Sequence, residues 1–213
     1  MNVKTVQGSE LLVVFSYKNT AIPREDIEWF EQVLLSQLRS GRHFQHGGTL
    51  QVGWSLLQFR ECSPGKLELQ EPDFQSFPIK WVSGVDHCLL HLGRQKDVTE
   101  SVLPAVEPVF PSIRQAALLC DHISEKSDIV MERQAPADAF SGWSVTCSGS
   151  GHSKSTLHLD SLFSMAMRLP SIIPFLALPP GFSVSFTSTG FSIMNEGAEV
   201  AVRENSFLAS CRN

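Results

Sequence analysis

The sequence predicts an α+β protein of two closely packed units, with mainly antiparallel sheets and helices on one face. Three observations carry this expectation. Short β-branched and aromatic runs bounded by turn residues recur in both halves of the chain. A few stretches between them carry apolar residues at helical spacing. Pro104, Pro108 and Pro111 crowd one stretch that forbids regular structure, which predicts units at residues 1–115 and 116–213. The 213 residues, 42% hydrophobic and 18% charged, are enough for one large domain or two small ones.

In the first unit, Glu10–Tyr17 (ELLVVFSY) reads as a buried strand. Pro23 pre-sets a helical first turn, with Glu25, Asp26 and Glu28 at the positive end of the helix dipole. Ile27, Phe30, Leu34 and Leu38 then recur at helical spacing until Gly41 stops the helix. Thr49–Glu61 has strand composition, Ser63-Pro64-Gly65 is a turn signal, and Leu67–Leu69 is expected to pair back. Val85–Val102 returns to a helical pattern.

In the second unit, Ala116–His122 and Asp128–Glu132 are short apolar runs and Gly142–Cys147 reads as a strand. Ser148–Ser155 is a polar loop, and Thr156–Arg168 is expected to be helical. Ser171–Leu178 reads as a short apolar helix between prolines. Phe182–Thr187 and Gly190–Met194 read as a hairpin around Ser188-Thr189.

The net charge of −5 argues against a general nucleic-acid binder and suits a partner with a basic surface. No apolar run approaches the roughly 18 residues of a membrane span, and the N-terminus does not read as a signal peptide, so the cytoplasm is the expected compartment. Five scattered cysteines without a CxxC pair fit reduced, mostly buried thiols.

A search for chemistry leaves no catalytic constellation, metal site or cofactor motif. His87 and His91 lie four apart on a predicted helix, so both imidazoles can reach one metal, but a third ligand is not apparent. His43 and His46 lie in a Gly-rich turn. Ser148–Ser153 (SGSGHS) lacks the spacing of a phosphate loop or a nucleophile elbow. Cys147 and His152 are close in sequence only, which does not make a thiol–imidazole pair. Glu71 and Asp73 flank Pro72, as a ligand for a cation, as a hot spot for an arginine-rich partner, or as a turn exit with Asp73 capping the next segment; the turn is favoured. Trp29 lies beside the apolar stripe of its helix, a place that allows half exposure, but core packing is the default for all four tryptophans, Trp29, Trp54, Trp81 and Trp143.

Over about Asp121–Phe186 the residues follow a familiar pattern. His122-Ile123-Ser124 opens it, and Val130-Met131-Glu132-Arg133 forms a strand. Gln134-Ala135-Pro136 and Ser141-Gly142-Trp143 come next. After a helix, Leu169-Pro170-Ser171-Ile172-Ile173-Pro174-Phe175-Leu176 leads to Pro179-Pro180-Gly181-Phe182. This pattern resembles bacterial immunity-protein family thirty-three, antitoxins of polymorphic and contact-dependent toxin systems. The chain departs from the family pattern at Gln134-Ala135 and at Phe140. Residues 1–115 look like the extension that precedes this domain in longer members. The resemblance implies a non-enzymatic protein that binds and sterically blocks a cognate toxin, with a cytoplasm-acting nuclease as the leading guess. The partner-binding candidates are Glu71, Asp73, Trp143, Glu196 and Glu199. Two other readings are an adaptor or chaperone that loads an effector without inhibiting it, and a small metal-dependent enzyme using His87 and His91.

Overall fold

A computed structural model describes residues 1–8, 11–123, 128–147 and 157–211. The Ser148–Ser155 loop, His152, Glu10 and Ser124 lie outside these residues. The chain is α+β and divides into two compact units, residues 1–93 and 94–213.

The first unit holds β1 (Asn2–Gln7), β2 (Leu12–Tyr17), α1 (Arg24–Arg39), β3 (Thr49–Val52), β4 (Ser55–Ser63), β5 (Lys66–Pro72) and β6 (Trp81–Ser83). Its strands form one sheet in the order β1-β2-β5-β4-β3, with β6 also on β5. Only the β2–β5 pairing is parallel. α1 buries the expected stripe of Ile27, Phe30 and Leu34, and Phe30 meets Phe15 of β2 edge-on at 5.0 Å. Pro23 stands at the N-cap rather than inside the first turn, and Ser40 caps the other end before Gly41 (φ +76°). The single strand expected over Thr49–Glu61 is two: the chain reverses at Gly53-Trp54, pairing Val52 with Ser55. Gly53 supplies the positive φ (+58°) such a tight hairpin needs at its first central position, while the Trp54 side chain is buried.

α2 (Asp86–Ser101) runs across the division between the units. The second unit continues with β7 (Val102–Leu103), β8 (Ala116–Cys120), β9 (Ile129–Arg133), β10 (Phe140–Cys147) and β11 (Leu157–Ser161). Next come α3 (Leu162–Arg168), a 3₁₀ helix (Pro170–Phe175), β12 (Phe182–Thr187), β13 (Gly190–Asn195), β14 (Ala198–Glu199), β15 (Ala201–Val202) and α4 (Phe207–Ser210). Seven strands form a sheet in the order β11-β8-β10-β9-β12-β13-β14, in which β8 and β10 run parallel.

Two expectations need correction here. Residues Leu157–Ser161 are a strand, not the start of a helix. Their backbone pairs with β8, and the helix begins only after Ser161, whose hydroxyl accepts from Ser164 N at 3.1 Å. The division falls at Gly93/Arg94 rather than at residue 115, because the proline-rich stretch is tied into the second unit. Val109 N donates to Ala177 O at 2.8 Å and Val106 N to Thr99 O at 3.1 Å. That stretch is irregular, as its prolines dictate. Among the described residues, no helix is long and apolar enough to cross a membrane.

Candidate functional site: an open sheet face over a buried motif

Side chains alternate across a strand, so the register of the seven-stranded sheet sorts its residues onto two faces. Val145, Met131, Val184 and Ile193 are cross-strand neighbours, all fully buried. On this covered face, Phe175 of the 3₁₀ helix meets Phe186 and Phe191 at ring distances of 5.1 and 5.5 Å.

The motif residues are buried with it. Arg133 Nη1 donates to the carbonyls of Val109, Leu176 and Leu178, each at 2.7 Å. Its guanidinium lies 5.3 Å from the Trp143 ring centre, and Trp143 Nε1 donates to Leu176 O at 3.0 Å. Burial lowers the Arg133 pKa to about 10, which leaves it charged at neutral pH. Ser141 Oγ donates to Ala116 O at 2.8 Å, and Gly142 has a φ of +85°. The Ser-Gly-Trp element and the proline-isoleucine run therefore meet through Arg133. They fix the chain after the 3₁₀ helix to the sheet.

The other face is open. Ser144, Glu132, Ser183, Met194 and Glu199 lie side by side across five strands. Leu118 and Leu159 extend that row, and Leu159 is 66% exposed. A second row holds Thr146, Val130, Ser185 and Ser192. All of these side chains reach solvent, with Glu132 and Glu199 the exposed acids. Glu196 stands exposed at the β13–β14 turn (φ +49°), followed by Gly197. The result is a hydroxyl-rich, acidic surface with apolar residues at one end.

Among the residues expected to touch a partner, Glu199 and Glu196 lie on or beside this face. Trp143 does not: it is 0% exposed, because its indole fills the core beneath. Glu71 is only 2% exposed; its carboxylate accepts from Cys88 N (2.9 Å) and from His87 Nδ1 (3.0 Å), so it holds the first turn of α2. Asp73 belongs to the same unit as Glu71 and closes its own turn. It accepts from Ser76 Oγ at 2.5 Å and Gln75 N at 3.0 Å, and these bonds hold its carboxyl below the usual range. Trp29 is 45% exposed, so it departs from the core packing that Trp54 and Trp143 adopt. Glu132 was missed, because only the register of neighbouring strands puts it in the acidic row.

His87 and His91 do share a helix face, with ring centres 6.0 Å apart and both against Phe74. Among the described residues, no group of three or more His, Cys, Asp or Glu side chains is arranged to hold a metal. Their pKa values are shifted in opposite directions. The Glu71 hydrogen bond, reinforced by its charge, raises the His87 pKa above 6.5 against the opposing effect of burial. Burial, with a smaller push from His87, lowers that of His91 from 6.5 to about 3. Neutral His91 thus contributes stability in full above pH 6.5 and loses it as pH falls toward 3, while His87 contributes below 6.5 and loses its share as pH rises. From pH 7 to 5 the His91 effect costs about 2 kcal/mol. Because His87 acts in the opposite direction in both proteins, the stability difference between the protein and His91→Phe should shift by about that amount from pH 7 to 5, read from paired melting curves.

Two of the five cysteines, Cys88 and Cys120, are buried; Cys147 is half-buried, and Cys62 and Cys211 are exposed. No curated protein and no solved structure matches the chain. A family model does match, and it begins where the second unit begins. Residues 94–196 match the Imm33-like domain, the immunity-protein family that the Ser-Gly-Trp and proline-isoleucine motifs resemble.

Proposed function

We propose that the protein is an antitoxin: it binds a cognate secreted effector in the cytoplasm and blocks it sterically, without catalysis of its own. The Imm33-like match over residues 94–196 carries this reading. The open face around Glu132 and Glu199 is the contact surface, and Glu196 extends it. Its acids, in a chain of net charge −5, favour a toxin with a basic surface, such as the substrate cleft of a nuclease. Nucleic acid and membranes are not partners in this scheme.

Co-expression with the product of the neighbouring gene in a heterologous bacterium tests the role. Rescue from toxicity with a co-purifying complex is the expected outcome. Toxicity that persists, or no complex, removes the role for that partner. The face has its own test. Glu132→Lys with Glu199→Lys should slow association and weaken binding roughly tenfold at low salt. The melting temperature should stay unchanged, since both side chains are exposed. An unaltered affinity would place the contact elsewhere while leaving the role intact.

A further inference from the structure

We propose that Cys120 and Cys147 form a dithiol site in the second unit that a small-molecule disulfide oxidises reversibly to a cross-strand disulfide. The proposal stands apart from the antitoxin reading. β8 and β10 are parallel neighbours, with Leu118 beside Ser144 and Leu119 beside Val145, so Cys120 and Cys147 close adjacent strands at the same end, one residue out of register. The two Sγ atoms are 3.2 Å apart and share a hydrogen bond. That separation is shorter than the roughly 3.8 Å two thiolates keep across a tetrahedral zinc ion. It is about 1 Å longer than a disulfide bond, so closure draws the two sulfurs together by about that much.

The order of events follows from exposure. Cys147 is half-buried and Cys120 is buried, so the Cys147 thiolate attacks the incoming disulfide first. One sulfur of the reagent joins Cys147 and the other leaves as a thiol. Cys120, deprotonated, then attacks the Cys147 sulfur and expels the second thiol. Two protein thiols are oxidised, one reagent disulfide is reduced to two thiols, and the protein loses two hydrogens.

The test uses the full chain with the exposed Cys62 and Cys211 replaced, Cys62→Ser and Cys211→Ser, alongside the unaltered protein. Folded protein is exposed to glutathione disulfide, quenched with acid, alkylated in denaturant and weighed. Of the three thiols remaining from the original five, one should stay available for alkylation, and a non-reduced digest should yield one peptide pair joined through Cys120 and Cys147. Dithiothreitol should restore all three. Three alkylated thiols without reductant, a glutathione adduct standing unresolved on Cys147, or a link made through Cys88 would overturn the proposal.

Discussion

Arg133→Met is expected to destabilise the second unit by about 3–5 kcal/mol, read as a lower denaturation midpoint at unchanged slope. Replacing a buried ion with an apolar side chain can be neutral when its partners leave with it. Here they stay. The carbonyls of Val109, Leu176 and Leu178 each accept from one Arg133 nitrogen at 2.7 Å, and methionine offers none of them a donor. Trp143 also loses the cation over its ring. A loss below about 1 kcal/mol would mean that water satisfies these carbonyls and that Arg133 is not what ties the chain after the 3₁₀ helix to the sheet.

Gly142→Ala is expected to cost roughly 3 kcal/mol. A Cβ at this position would lie 2.1 Å from Gln134 O, and the backbone holds φ at +85°. The neighbouring atom is backbone, fixed by the bond from Gln134 N to Gly142 O at 2.9 Å, so relief requires opening that corner of β9 and β10. Gly190→Ala is the control. Its φ is +141°, but nothing lies within 4 Å of the added carbon, so only the backbone strain, on the order of 1–3 kcal/mol, remains. Equal losses for the two variants, read from melting curves, would show that conformation and not the steric clash decides.

These two residues show where the sequence is legible and where it is not. Local signals placed α1, the Ser63–Lys66 turn and the β12–β13 hairpin, because apolar spacing and turn residues act within a few positions. Gly53 lay inside a run of strand formers, so the reversal there passed as one strand. Leu157–Ser161 became a strand because β8 offered an edge, a decision taken by residues far away in the chain. The Ser-Gly-Trp element was recognisable as a pattern and core packing was the default for Trp143, but its bond to Leu176 O depends on a run far along the chain. The open face is the least local feature of all. Glu132 and Glu199 are far apart in sequence and fall in one row, with Ser183 and Met194 between them, only through the pairing of four strands.

The most direct test of the central claim is a titration of the neighbouring gene product's toxic activity against this protein, with complex formation followed in parallel. Activity should fall in proportion to added protein and vanish at a 1:1 ratio, with a stable complex at that point. A stable complex that keeps full activity would contradict neutralisation and identify an effector adaptor instead.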